Sequence, residues 1–143
     1  MKRSLALLIS TISIAACGGS SSSETTFKTS NDVLAAMTAA GFSCTQYTPT
    51  AKADRELGQE SANEVGGCEL EGESIDITLW KDSGQLKNWE GMGKSIGCKM
   101  GEAFGITEFD YLKGDAWSVS GTSKTLTEKL AAKIGGDAIH IKC

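Results

Sequence analysis

Five cysteines are the residues of this chain with the most chemistry to offer, and their spacing separates them into one and four. Cys44, Cys68, Cys98 and Cys143 stand 24, 30 and 45 residues apart. Structural zinc sites draw ligands from close pairs such as Cys-x-x-Cys. These four are widely spread, so they read as two disulfides with no metal site among them. Three pairings are open. Cys44–Cys68 with Cys98–Cys143 is favoured because each bond then ties a helix end to a strand. Cys17 is left over, directly behind an apolar run.

Other chemistry has fewer residues to work with. His140 is the only histidine, so a Ser-His or Cys-His catalytic pair would have to be built on it. It alternates with Ile139 and Ile141 and reads as an ordinary strand residue facing solvent. Gly91-Met92-Gly93 lies within a helical pattern rather than between a strand and a helix start, which is where a phosphate loop belongs. The expectation is a non-catalytic domain with no cofactor.

The acidic residues of one hairpin are more suggestive. Cys68-Glu69-Leu70-Glu71 and Ser74 to Trp80 alternate with period two around Gly72-Glu73. Pairing Glu71 with Ser74 sets Leu70 opposite Ile75, Cys68 opposite Ile77 and, on the outward face, Glu69 opposite Asp76. Like charges directly across a strand pair are unfavourable. This face, with Glu71 and Glu73 beside it, is therefore a candidate for a cationic partner, either a divalent ion such as calcium or a basic protein patch. The plainer reading is a solvated face whose charge resists edge aggregation. Trp80 falls on the same face, where an exposed tryptophan suits a sugar or protein contact unless the next helix or loop covers it.

The elements that must position these residues follow from periodicity. A first helix is predicted from a cap at Ser30 or Asn31 through Val33, Leu34 and Met37 to Gly41. From Thr45 to Gly66 the pattern fades into a long loop with a short helical turn. After the acidic hairpin, a helix from Ser83 carries Leu86, Trp89, Gly93, Ile96 and Met100 on one side, and lies on a sheet. A second hairpin turns at Lys113-Gly114-Asp115, with Tyr111 facing Trp117 and Phe109 facing Val119. The third helix follows Gly121, offers Thr125-x-x-Glu128 as a capping box, repeats Leu126, Leu130 and Ile134, and stops at Gly135-Gly136. A final strand from Ala138 seats Ile139, Ile141 and Cys143 inward. The class is α+β: a mainly antiparallel sheet of about five strands, about three helices packed on one face, and two disulfides.

The N-terminus gives an address. Lys2 and Arg3 precede the apolar run Leu5 to Ala16, too short to remain as a spanning helix. Ile14-Ala15-Ala16 stands before Cys17, and Gly18-Gly19 after it. The segment resembles the lipobox cut by the lipoprotein signal peptidase. That resemblance implies a diacylglycerol on the Cys17 thiol, cleavage after Ala16 and acylation of the new amino group. An ordinary signal peptide cut near Ala16 would instead leave Cys17 as an odd thiol. Each buried methylene contributes about 0.8 kcal/mol, so two or more chains anchor stably. Residues 1–16 are thus a signal peptide, 17–26 a lipidated cysteine and flexible tether, and 27–143 one extracytoplasmic domain.

Loss of Lys2 and Arg3 leaves 12 basic residues against 18 acidic ones, a formal charge near −6. That argues against nucleic acid or anionic lipid headgroups as surface partners. The stretch Gly114-Asp115-Ala116-Trp117-Ser118-Val119-Ser120, with Leu130-Ala131-Ala132-Lys133-Ile134-Gly135-Gly136, resembles small uncharacterised lipoproteins of Gram-positive actinobacteria, which share a Gly-Asp-x-Trp strand and a helix ending in Gly-Gly. The resemblance implies a Gram-positive host and brings no activity or site. The expected protein is a non-catalytic lipoprotein on the outer side of the cell membrane, binding an envelope protein, a cell-wall polymer or an external agent such as phage machinery. The alternative is a solute- or divalent-cation-binding lipoprotein that uses the acidic hairpin and Trp80.

Overall fold

The computed structural model describes residues 25–143. The expected signal peptide, Cys17 and the tether up to residue 24 lie outside the described residues. Helix α1 (Ser30–Ala39) is capped one residue earlier than expected, by Thr29. Thr29 Oγ1 accepts from the Asp32 N–H at 3.2 Å, while the Asp32 carboxylate accepts from the Thr29 N–H at 2.9 Å. Only this pair can exchange both bonds, so the reciprocal box fixes the start.

Strand β1 (Thr45–Pro49) occupies a stretch read as loop, and brings the sheet to six strands. It is an edge strand with an irregular register, and Gln46 sits at φ 57. Its residues are mostly exposed, so no apolar alternation announced it. The expected helical turn is the 3-10 segment Lys52–Asp54.

The acidic hairpin forms from β2 (Glu64–Leu70) and β3 (Glu73–Leu79), with a different register from the one expected. Leu70 pairs with Glu73, Cys68 with Ile75, Glu69 with Ser74 and Asp76 with Gly67. The two loop residues are Glu71 and Gly72, both at positive φ, 51° and 83°. A tight hairpin turn twisted to match its strands requires this, and glycine supplies it most cheaply at the second position. The slide keeps every side chain on its expected face but replaces its cross-strand neighbour. Glu69 and Asp76 therefore do not oppose each other.

Helix α2 (Ser83–Met92) starts where expected, with the Asp82 carboxylate accepting from the Gln85 N–H at 2.9 Å. It runs through a π turn (Gly93–Gly97) into α3 (Cys98–Ala103). Strands β4 (Glu108–Lys113) and β5 (Trp117–Ser120) form the second hairpin, in which Leu112 faces Val119 and Tyr111 faces Ser120. The expected pairing of Tyr111 with Trp117 fails by an odd number of positions, so the two rings lie on opposite faces of the sheet. Helix α4 (Lys124–Ile134) is capped by Ser123, whose hydroxyl accepts from the Leu126 N–H, and not by Thr125. Leu126, Leu130 and Ile134 are buried as expected, and Gly135 ends the helix. Strand β6 (Asp137–Lys142) closes the chain against β4.

The fold is α+β, with an antiparallel sheet in the order β1-β2-β3-β5-β4-β6. The main core fills the face under α1 and α4, from Val33, Met37 and Leu130 to Ile77, Leu112 and Trp117. A smaller cluster of Ala62, Val65, Trp80 and Leu86 fills the other face, under α2. The helices are shared between the two faces rather than gathered on one. The disulfides are Cys44–Cys68 and Cys98–Cys143, with Cα atoms 5.6 and 5.3 Å apart, the favoured pairing.

Candidate functional site

Alternation along β3, β4 and β6 sends Asp76, Phe109, Tyr111 and Ile141 to the face away from α1 and α4. The α2–α3 run crosses this face without covering all of it. Between helix and sheet lies an open groove of about 680 Å³, with Leu57, Trp89, Met92, Ile96, Met100 and Phe109 among its lining. Leu57 is 64% exposed, Met100 60% and Ile96 37%. Phe104 and Ile106 are exposed just beyond.

The π turn accounts for the exposure of Ile96 and Met100. Its hydrogen bonds span five residues, so the helix is underwound there and a stripe spaced at 3.6 loses phase. Leu86 is buried and Trp89 half-buried before the turn, whereas Ile96 within it and Met100 after it face the groove and solvent. The expectation that the whole stripe packs on the sheet holds only up to Trp89.

Three carboxylates face the groove, Glu56, Asp76 and Glu90; Asp110 also lines it, but alternation with Phe109 and Tyr111 turns its carboxylate to the α4 side, where it meets His140. Glu90 is matched, since its Oε1 accepts from the Tyr111 hydroxyl at 2.7 Å and lies 2.6 Å from Lys113 Nζ. Burial and then the Glu90 carboxylate push the Tyr111 hydroxyl well above its ordinary range. Trp89 meets the Tyr111 ring edge-to-face, with centroids 5.3 Å apart. Asp110 is bonded to His140 Nδ1, and Glu128 Oε1 lies 3.5 Å from His140 Nε2. Asp76 is half-buried, and its carboxylate has no hydrogen-bonding or ionic partner among the described residues. Desolvation, and secondly the charge of Glu56, raise its carboxyl above the ordinary range.

That shift has a stability consequence. With the folded value above the unfolded one, the folded state holds the proton longer, and stability falls as pH rises between the two. Asp76→Asn is expected to raise Tm at pH 7 by about 2 °C, the scale of a mild surface substitution in a domain of this size. The gain should vanish below about pH 3, where the aspartate is neutral as well. Thermal melts of both proteins across this range check it, and an unchanged or lower Tm at pH 7 would contradict it.

The residues singled out from the sequence scatter. Glu71 pairs with Lys129 of α4 at 3.0 Å, and Glu73 accepts from the Ser123 N–H and hydroxyl at 2.6 Å each. These two carboxylates hold the hairpin tip to α4, on the far face from the groove. Glu69 is exposed opposite Ser74. Trp80 is 2% exposed, and its Nε1 donates to Ser118 Oγ at 3.0 Å. It is a core residue and offers no surface to a sugar or a protein. Of the expected acidic face, only Asp76 lines the groove.

Among the described residues no group of three or more His, Cys, Asp and Glu side chains is placed to hold a metal ion. No serine was expected in a Gly-x-Ser-x-Gly elbow, yet Gly93-Lys94-Ser95-Ile96-Gly97 has that spacing. It forms the π turn, where Ser95 Oγ donates to Met92 O at 3.3 Å, and no strand leads into it as a nucleophile elbow requires. Among the described residues no helix is long and apolar enough to cross a membrane. No family model, curated protein or solved structure matches the chain.

Proposed function

We propose that the chain is a non-catalytic lipoprotein, anchored through Cys17 to the outer side of a Gram-positive cell membrane, whose domain binds an apolar ligand in the groove between α2–α3 and the sheet. The address rests on the lipobox-like segment ending at Ala16-Cys17 and on two disulfides, which suit an oxidising compartment. One observation carries the binding role. Of the five exposed large hydrophobic side chains among the described residues, Leu57, Ile96 and Met100 gather around one groove. Its volume falls in the range of small-molecule sites. The groove replaces the acidic hairpin as the binding surface, and favours a solute over a divalent cation.

The two halves of this reading are tested together. In a bacterium that processes lipoproteins, the full chain is expected in the membrane fraction with acyl mass on Cys17, and Cys17→Ala in the soluble extracytoplasmic fraction. A soluble, unacylated parent chain would overturn the address. The secreted Cys17→Ala chain is expected to enhance the fluorescence of neutral N-phenyl-1-naphthylamine, and adding Met100→Glu should weaken dye binding by about tenfold or more, the effect of 1.4 kcal/mol. No enhancement, or equal enhancement in both, would overturn the groove.

A further inference from the structure

Three carboxylates face the groove, and its lining holds no lysine, arginine or histidine. One of the three is already matched, Glu90 by Lys113 and Tyr111. Glu56 and Asp76 have no ionic or side-chain hydrogen-bonding partner among the described residues. Leaving the half-buried Asp76 carboxylate unpaired beside an apolar wall is unfavourable, and the exposed Glu56 adds a second negative charge at the same groove. The same groove contains the half-buried indole of Trp89, an aromatic ring of the kind that attracts cations.

We infer that the ligand of this groove is a small amphiphile with one ammonium group on an apolar body, the ammonium lying toward Asp76 and Glu56 and the apolar body against Ile96, Met100 and Leu57. The inference rests on the groove being the binding site. Each alternative head group does worse. A carboxylate or phosphate would add a third negative charge beside the two unmatched ones, and a neutral head would leave them as they are. The size of the groove favours a small molecule over a protein, because a stable protein interface buries about 800 Å² on each partner.

The test uses three probes with one apolar body: n-octylammonium, n-octanol and n-octanoate. Each displaces N-phenyl-1-naphthylamine from the full-length Cys17→Ala chain at low salt and pH 7. Octylammonium is expected to bind at least tenfold more tightly than octanol, with octanoate weakest. Asp76→Asn should bring octylammonium toward the octanol level while leaving octanol unchanged, and Glu56→Gln should act in the same direction. Equal affinity for octylammonium and octanol would overturn the cation preference while leaving the groove as a binding site. Dye binding that none of the three probes displaces would also overturn it, and would leave the groove to another occupant such as a protein segment. Failure of the dye itself to bind would remove the groove and this inference together.

Discussion

Replacing Trp117 by alanine is expected to cost about 3–5 kcal/mol, a large part of the stability of a domain this size. The indole is fully buried, its Nε1 donates to Thr25 O at 2.7 Å, and Phe27 meets it edge-on at 4.9 Å. One side chain thus ties the start of the domain to the centre of the sheet. Gly114 and Gly136 close over the same ring. A Cβ at Gly114 would overlap the indole, and one at Gly136 would lie 2.6 Å from Lys113 O and 3.0 Å from the ring. Urea unfolding of the secreted chain checks the prediction, with Trp117→Phe expected to lose less. A loss under about 1 kcal/mol for the alanine variant would show that the surrounding core collapses to fill the space.

Removing the Cys98–Cys143 disulfide, as Cys98→Ala with Cys143→Ala, is expected to cost about 4 kcal/mol from the entropy of a loop that spans 45 residues. The same treatment of Cys44–Cys68, which spans 24, should cost about 3.4 kcal/mol. The two losses should differ in kind. Among the residues of α3 only Gly101 is buried, so the bond to Cys143 is the main tie between that helix and β6. Dye binding should therefore be lost without Cys98–Cys143 under conditions where the domain remains folded by circular dichroism, and retained without Cys44–Cys68. Full dye binding in the first variant would show that α3 holds its place by packing alone.

What could be read from the sequence was what local order determines. Leu126, Leu130 and Ile134 repeat at four and are buried together, and Gly135 stops their helix. The cysteine pairing followed from which elements the spacing could join. What failed depended on partners far away in the chain. Trp80 is covered because Ser118, 38 residues on, receives its N–H and because α2 packs across it. Both hairpin registers were misjudged at their turns, and the consequences differed with parity. A slip of two residues in the first preserved the faces, whereas an odd slip in the second put Tyr111 on the groove side, away from Trp117. The groove itself was hidden by the π turn, since a period of 3.6 contains no sign of where a helix will unwind. The Gly-Asp-x-Trp and Gly-Gly segments have a structural meaning: both place glycine against the Trp117 ring, and neither lines the groove.

Where the chain enters the domain also limits which way the domain can turn. Thr25 and Phe27 are fastened to Trp117, on the α1 and α4 side of the sheet, and the groove opens on the other side. The eight residues from Cys17 to Glu24 can reach at most about 28 Å when fully extended. A compact domain of this length is about 35 Å across. A lipid held at Cys17 through so short a tether would favour an orientation with the α1 and α4 side, where Thr25 is fastened, toward the bilayer and the mouth of the groove toward the water.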